Sequence, residues 1–335
     1  MKQTKYLFNP GRLSRQDNTL KFTPVDEAGN EGQPRFLPVE QVSDLYVFGS
    51  LDANSALYNF LGKEGIAVHF FDYYEHYTGS FMPREYLLAG KMQVEQTKHY
   101  LAAKKRIAVA QAFVEGAACN ILRVLKYYNN RDRDLTDAIS TIDKLLLSVP
   151  TSPDVQTLMG IEGNIRQTYY GCFDTIVGET FTMNGRSKRP PQNELNALIS
   201  LGNMLCYSAC LSMIYHTQLN PTISFLHEPG ARRYSLALDM AEIFKPILID
   251  RLIFRMVNKR QLQASDFRME TSGCVMKEAA RKRFVQEFDA SLKETIKHRS
   301  LGRSVSYKYL IKLECYKLQK HLLGMETYRP FKAWW

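Results

Sequence analysis

Residues 195–215, LNALISLGNMLCYSACLSMIY, form a stretch of 21 residues without a charged side chain. A helix of that length could cross a membrane, but several polar side chains interrupt it, and no other stretch suggests a membrane span. A helix that is apolar on all sides needs apolar neighbours on all sides. The stretch therefore predicts the buried central helix of a helical domain. The interrupting residues are Asn196, Ser200, Asn203 and Ser208.

The local pattern changes at Pro83 from short strands to helices. Residues 1–82 contain short segments rich in β-branched and aromatic residues, separated by turn formers. From residue 83 almost to the end, apolar residues recur at helical spacing. The sequence predicts an α+β protein with a small N-terminal β domain (1–82) and a larger all-α domain (83–335) around the central helix. The last predicted helices lie near 275–300 and 306–323.

Length and composition are those of a globular protein. The chain has 335 residues, enough for two domains with a large core. The N-terminus, MKQTKYLFNPGRLSRQ, lacks the plan of a secretory signal. Six cysteines occur without a CxxC pair, which excludes a zinc ribbon or redox motif and predicts reduced thiols. These features together predict a cytoplasmic protein.

The positive charge is concentrated in the last quarter of the chain. Residues 251–335 carry 19 Lys and Arg against 8 Asp and Glu, whereas residues 1–250 carry 25 against 26. This asymmetry favours a polyanionic partner, nucleic acid before membrane, because no amphipathic anchor accompanies it. The alternative is a solvated basic surface. The C-terminal residues 328–335 mix aromatic and cationic side chains, which suits either stacking on bases or packing of the tail against the core.

Residues 224–250, SFLHEPGARRYSLALDMAEIFKPILID, combine a histidine with carboxylates on a predicted helix. Asp239 and Glu242 are three residues apart, so their side chains emerge on one face. Asp250 falls near the same line. An imidazole and two carboxylates are suitable ligands for a divalent ion. The alternative for the acidic pair is a solvated helix edge.

Glu162 lies on the apolar face of a helix that is predicted to begin at Ser152-Pro153. A carboxylate there is costly unless another group pairs with it. Two alternatives remain open from the sequence: a salt bridge to Arg166 one turn later, or a metal ion.

A basic, proline-rich loop separates this helix from the central helix. Residues 178–192, GETFTMNGRSKRPPQ, include Arg186, Lys188 and Arg189, which could clamp phosphates. A plain solvated loop is the alternative.

Several segments match the motifs of one family. Residues 159–164 resemble its MG-E-G/A motif, residues 225–251 its LHE…SLALDLxExFxPxxVDR signature, and residues 189–203 its RPP…NALLSxG segment. Residues 47–49 and 65–71 also fit. The chain thus resembles the CRISPR-associated integrase/endonuclease family, the universal adaptation protein of CRISPR antiviral defence.

The resemblance implies a site and an assembly. Its metal ligands correspond to Glu162, His227 and Glu242, with Asp239 as an adjacent acidic catalytic residue, and the cofactor is Mg²⁺ or Mn²⁺. It implies a homodimer formed through the β domain, and a small ferredoxin-like CRISPR adaptation protein as heteromeric partner.

The implied reaction is spacer acquisition: the 3′-hydroxyl of a short DNA duplex attacks a phosphodiester at a CRISPR repeat. Arg232 and Arg233, with residues 186–189, are the expected phosphate contacts. Two alternatives remain: a stand-alone nuclease that processes branched DNA, and a non-catalytic basic DNA-binding scaffold.

Overall fold

The computed structural model describes residues 2–26, 28–72, 74, 76–83, 89–178, 181–230, 234–271 and 273–334. The chain forms two compact units, Met1–Tyr86 and Leu87–Trp335. Most strands come first and most helices follow, so the predicted α+β class is confirmed. The boundary expected from the sequence lay between residues 82 and 83.

The first unit contains two four-stranded sheets. In one sheet the order is β1-β5-β7-β8, with β1, β5 and β7 parallel and β8 antiparallel; in the other it is β4-β3-β2-β6, with β6 parallel to β2. The strands β2 and β6 were not predicted, because GRLSRQ holds a single apolar side chain and β6 has only two residues. The bounds are β1 Gln3–Leu7, β2 Gly11–Gln16, β3 Thr19–Pro24, β4 Arg35–Pro38, β5 Val42–Val47, β6 Leu51–Asp52, α1 Ser55–Glu64, β7 Ala67–Phe71 and β8 Tyr77–Phe81.

The second unit is a helical bundle with two small hairpins. The hairpins, β9 with β10 and β11 with β12, were not predicted. They flank α10, so the helix expected at 275–300 is shorter at both ends. The bounds are α2 Gly90–Leu101, α3 Ala103–Asn129, α4 Thr136–Ser148, α5 Val155–Gly171, α6 Phe173–Val177, α7 Glu194–Tyr215, α8 Ser235–Lys245, α9 Arg251–Asn258, β9 Phe267–Glu270, β10 Gly273–Met276, α10 Glu278–Lys293, β11 Thr295–Lys297, β12 Ser304–Ser306 and α11 Tyr307–Leu322.

Helix α7 is the predicted central helix. Of its 22 residues, 18 are buried, and it packs against α8 and α11. Helix α3 is likewise long and apolar enough to span a membrane by length and composition, which the sequence reasoning had not noted, but the most apolar 18-residue segment of each helix is mostly buried inside the unit, 61% in α3 and 83% in α7. The six cysteines are free thiols, as predicted. The central-helix prediction is therefore confirmed.

The helix that carries Glu242 continues past Pro246 through a π-helical turn, Pro246–Asp250, into α9. Proline lacks a backbone N–H and clashes with the preceding turn, so a wider turn relieves both problems. Gly202 of α7 lies against this turn: a Cβ there would approach Ile249 Cγ2 at 2.3 Å. The close approach fixes α7 against the end of α8.

The start of α5 differs from the prediction. The helix begins at Val155, and Asp154 caps it by accepting the N–H of Thr157 at 2.7 Å. Ser152 instead donates its hydroxyl to the carbonyl of Val149. An aspartate two residues later thus replaces the expected serine cap, since both residue types make good caps.

The C-terminal tail packs against the helical unit. The buried carboxylate of Glu314 accepts the Tyr328 hydroxyl at 2.7 Å and the N–H of Phe331 at 3.0 Å. The Phe331 ring stacks on Phe244 of α8 with centroids 5.9 Å apart. For residues 328–334, the tail-packing alternative is confirmed.

Candidate active site

Asp239 fixes the loop that carries His227. It is fully buried on α8, and its Oδ2 atom accepts the N–H groups of Phe225 and Leu226 at 2.7 and 3.0 Å. Its Oδ1 atom accepts the N–H of His227 at 2.9 Å. Three backbone donors offset the cost of burying a carboxylate. The loop is thereby held to α8 at three successive residues.

The same carboxylate orients the imidazole. Nδ1 of His227 lies 2.8 Å from Oδ1 of Asp239. A carboxylate at Nδ1 favours the tautomer with the proton there and directs Nε2 to another partner. Burial lowers the pKa of His227, but the hydrogen bond and charge of Asp239, with the charge of Glu242, outweigh it and raise the pKa above its ordinary value.

One arginine bridges the two candidate ligand helices. Arg166 of α5 donates from Nε to Oε1 of Glu162 at 3.1 Å. Its Nη2 donates to Oε2 of Glu242 and to the main-chain oxygen of the same residue at 3.3 Å. The salt bridge between Glu162 and Arg166, one of the two alternatives for Glu162, is therefore present in the structure. The same guanidinium also brings Glu162 and Glu242 together from different helices.

Lys245 supplies a second cation to Glu242. Its Nζ lies 2.5 Å from Oε1 of Glu242, one turn away on α8. Burial raises the pKa of Glu242, but the charges of Arg166 and Lys245 outweigh it and lower the pKa to about 2. Glu242 is thus a carboxylate at every working pH.

Asp250 lies in the same group of charged side chains around Arg166, although the site residues implied by the family resemblance do not include it. It is buried in the π-helical turn, and burial raises its pKa to about 6 against the opposing charge of Arg166. Burial, with the nearby charge of Asp250, raises the pKa of Tyr169 well above its ordinary value. We call Glu162, Arg166, Glu242, Lys245 and Asp250 the Arg166 cluster.

The chemistry of the donor set fits a divalent ion. Glu162 and Glu242 supply carboxylate oxygens that already converge on one cation, and His227 supplies an imidazole held by a carboxylate. These are ligand types that bind Mg²⁺ or Mn²⁺. Within the part of the chain that the structure describes, no three His, Cys, Asp or Glu side chains form a group that could hold a metal ion. The residues therefore fit a metal ion by their chemical type. In this structure the guanidinium of Arg166 pairs with the carboxylates of Glu162 and Glu242, and the ammonium of Lys245 pairs with Glu242.

Arg186, an expected phosphate contact, anchors its loop to α7. Its Nη1 donates to Oδ1 of Asn196 at 2.8 Å, and its Nη2 donates to Oγ of Ser200 at 3.2 Å. These bonds also explain two of the four polar residues that interrupt the central helix, Asn196 and Ser200. The sequence analysis did not predict this anchoring role. The available signal was the pair Asn196 and Ser200, one turn apart in an otherwise apolar helix.

The structure describes two of the other four expected phosphate contacts. Lys188 and Arg189 are exposed on the same loop. Arg232 and Arg233 lie outside the described residues. Their role in DNA binding stays a prediction.

Lys245 was the other functional residue that sequence reasoning missed. Lys245 is the last residue of α8, and its charged side chain is only 14% exposed. A lysine that follows a carboxylate by three residues on a buried face was the available signal.

Comparisons with known proteins identify the family and the fold of the chain. The family model described as CRISPR associated protein Cas1 matches residues 5–290. A CRISPR-associated endonuclease Cas1 of Thermodesulfovibrio yellowstonii is 44% identical over 98% of this chain and 99% of its own length. A Cas1 protein structure from Thermotoga maritima has a TM-score of 0.86 with 38% identity and covers 98% of this chain and 100% of that one. A casposase bound to an integration product shares the fold, with a TM-score of 0.87 at 18% identity over 99% of this chain and 94% of that one.

Proposed function

Because the chain belongs to the Cas1 family of CRISPR-associated proteins, we propose that it is a metal-dependent DNA integrase and endonuclease that inserts short DNA spacers into a CRISPR array. The observation that carries this proposal is the convergence of Glu162 and Glu242 from two helices on one cation, together with an imidazole, that of His227, which a buried carboxylate orients and whose pKa the charge of Glu242 helps to raise. A surface patch has no need of such an arrangement. The named activity of the T. yellowstonii relative, an endonuclease, supports the same reaction class.

Glu162, His227 and Glu242 would hold Mg²⁺ or Mn²⁺. When bound, such an ion polarises a phosphoryl group, orients the nucleophile and stabilises the leaving oxygen. Strand transfer uses the 3′-hydroxyl of the captured DNA as nucleophile, and nicking uses water in the same in-line displacement.

The protein groups prepare the site for an anionic substrate. Asp239 keeps a proton on Nδ1 of His227, so Nε2 has its lone pair free for a ligand while the imidazole is neutral. Arg166 and Lys245 offset the charges of Glu162 and Glu242, which reduces the repulsion that DNA phosphates meet there. Lys188 and Arg189 would add sequence-independent phosphate contacts.

The experiment is half-site integration of a short duplex into a repeat-bearing plasmid with Mn²⁺. Glu162→Gln and Glu242→Gln keep size and remove charge, and Glu40→Gln, an exposed residue of the first unit, is the matched control. We expect loss of joined product in both site variants and wild-type yield in the control. Wild-type integration by both site variants would overturn the assignment.

The same assay separates the two alternatives. A stand-alone nuclease of branched DNA would give cut products without a joined product that depends on the 3′-hydroxyl. A non-catalytic scaffold would bind DNA with equal affinity in EDTA and after Glu162→Gln, and would make no product in either case.

We also propose the partners that the family resemblance implies: double-stranded DNA as spacer precursor and repeat, a second copy through the β unit, and a small ferredoxin-like CRISPR adaptation protein. A cytoplasmic location accords with the DNA target. The basic last quarter supports a DNA partner. Light scattering of the purified chain, alone and with that adaptation protein, tests the assembly: a monomer in both samples would contradict it.

A further inference from the structure

The helical unit has a cavity that the candidate active site does not use. A cavity of about 340 Å³ opens between the C-terminal end of α3, the helix α9 and the helix α10. None of the four candidate catalytic residues lines it. We call it the α3–α9 cavity. Its cationic lining residues are Arg123, Arg131, Arg251, Arg255 and Lys259.

The positive charge of this cavity is poorly compensated. The one carboxylate among its lining residues, Glu294, accepts from Nη1 of Arg255 at 3.1 Å, and Glu287, which does not line the cavity, accepts from Nη2 of the same arginine at 3.0 Å. Among the described residues, Arg123, Arg131 and Lys259 have no carboxylate within salt-bridge distance, and Nε of Arg123 donates only to the main-chain oxygen of Ala333 at 3.3 Å. Like charges that share a cavity repel one another, and an anion relieves the repulsion. The cavity therefore favours an anionic ligand.

Aromatic rings form another wall. Tyr127 is 47% exposed, and the guanidinium of Arg131 lies 3.9 Å from its ring centroid. The Tyr128 ring meets Tyr127 edge to face at 5.1 Å. Burial raises the pKa of Tyr128 to about 12, so its hydroxyl is neutral and serves as a hydrogen-bonding group. Aromatic rings beside guanidinium groups are the surfaces on which nucleobases stack.

The size of the cavity limits the ligand. Pockets for small molecules begin at roughly 300 Å³, so this cavity has room for one small ligand and none for a duplex. A group with both a phosphate and a planar ring matches the charge and the aromatic wall together.

We propose that the α3–α9 cavity binds a single nucleotide, with its phosphate at Arg123, Arg131 and Lys259 and its base at Tyr127. The nucleotide is either a free nucleoside monophosphate or an unpaired nucleotide of a DNA strand, since both present the same phosphate and base. This inference goes beyond the proposed integrase function and uses none of the metal-site residues.

The test measures binding of fluorescently labelled deoxyadenosine monophosphate to the full-length protein by anisotropy, in EDTA. The double variant Arg131→Gln/Lys259→Gln removes two exposed charges from the cavity. Lys63→Gln/Lys144→Gln removes two exposed charges elsewhere and is the matched control. We expect at least tenfold weaker binding in the first and less than a twofold change in the second. An equal effect of both variants would overturn the proposal.

The base contact needs its own variant. Tyr127→Leu should weaken binding of the labelled nucleotide several-fold while the unfolding temperature stays near that of the wild type, because half of this side chain is already exposed. Inorganic phosphate should compete at least tenfold less well than unlabelled deoxyadenosine monophosphate. Equal competition by the two would reduce the cavity to an anion site and refute the nucleotide assignment.

Competitors distinguish the two sources of the nucleotide. A five-nucleotide single strand that competes far better than the monophosphate would identify an unpaired strand as ligand, whereas equal competition would identify the free nucleotide. A blunt duplex that competes best, with the same affinity for wild type and double variant, would contradict the proposal. Because the measurement is made in EDTA, its outcome is independent of whether the chain integrates DNA.

Discussion

Nδ1 of His227 lies 2.8 Å from Oδ1 of Asp239, and the N–H of the same histidine reaches that oxygen at 2.9 Å. One fully buried carboxylate thus sets both the backbone and the ring of the histidine. Asp239 is accordingly a positioning residue, while Glu162, His227 and Glu242 are the groups that would meet the ion. The family resemblance already set Asp239 apart from the three ligands as an adjacent acidic residue, and the structure adds which groups its carboxylate contacts.

Replacing Asp239 by Asn tests the positioning role. Asparagine keeps the shape but can present its NH₂ group to Nδ1, which inverts the tautomer. Loss of a group that orients a metal ligand costs about 10–100-fold in affinity or activity. We expect a decrease of that size in integration, together with weaker Mn²⁺ binding by calorimetry. Asp137→Asn, at an exposed position of α4, should behave as wild type.

Manganese should stabilise the folded protein. An ion that binds only the native state raises its stability, by about 2.7 kcal/mol when its concentration is a hundred times the Kd. Scanning calorimetry with Mn²⁺ and with EDTA measures this shift without any activity. The shift should disappear in Glu162→Gln and Glu242→Gln. A full shift in both variants would place the ion elsewhere.

Removal of Arg166 should be strongly destabilising. The guanidinium is buried and pairs with Glu162 and Glu242, so Arg166→Gln leaves the buried Glu242 with Lys245 as its one remaining salt-bridge partner among the described residues. Breaking a buried ion pair on one side costs about 3–5 kcal/mol. Urea unfolding measures the loss. Arg166→Gln combined with Glu242→Gln should recover part of it, and a double variant less stable than the single one would contradict the pairing.

Asp250 should make the protein less stable as the pH rises. Its pKa is about 6 in the folded chain against an ordinary value of 3.8. Below pH 3.8 Asp250 is protonated in both the folded and the unfolded chain. Between pH 3.8 and 6 the unfolded chain releases this proton while the folded chain retains it. The free energy of unfolding therefore decreases as the pH rises through this range. The integrated effect is about 3 kcal/mol above pH 6. The stability of Asp250→Asn relative to wild type should therefore rise between pH 4.5 and 7.5 in urea unfolding. A constant difference would refute the shift.

Two glycines should respond oppositely to alanine. A Cβ at Gly202 would overlap Ile249 Cγ2, whereas a Cβ at Gly163 would meet no described atom within 4 Å apart from its own helix backbone and chain neighbours. Overpacking costs about 1–3 kcal/mol, so Gly202→Ala should lower the free energy of unfolding. Gly163→Ala should raise it by about 0.5–1 kcal/mol, because glycine is a poor residue inside a helix. Equal effects would show that α7 and the π-helical turn can move apart.

The site was partly visible in the sequence. The spacing of Asp239 and Glu242 and the inward position of Glu162 are local properties of helices, so periodicity identified them. The pairing of Glu162 with Arg166, one turn apart, was equally visible, but the partners of Asp239 and Glu242 were not. Arg166 meets Glu242 across 76 residues, and Asp239 meets the loop across 12 to 14 residues.

The sequence by itself determined the division into a strand-rich and a helical part and the burial of α7, because a helix that is apolar on all sides needs apolar neighbours on all sides and the polar residues within it disfavour a membrane span. Only the tertiary structure decided which cation each carboxylate meets, that the tail lies on α8, that the short hairpins flank α10, and that five cations surround one cavity. These features depend on contacts between segments far apart in the chain. Local propensity and periodicity predict which face of a helix or strand is buried. Which other helix or strand packs against that face depends on how all the elements pack together.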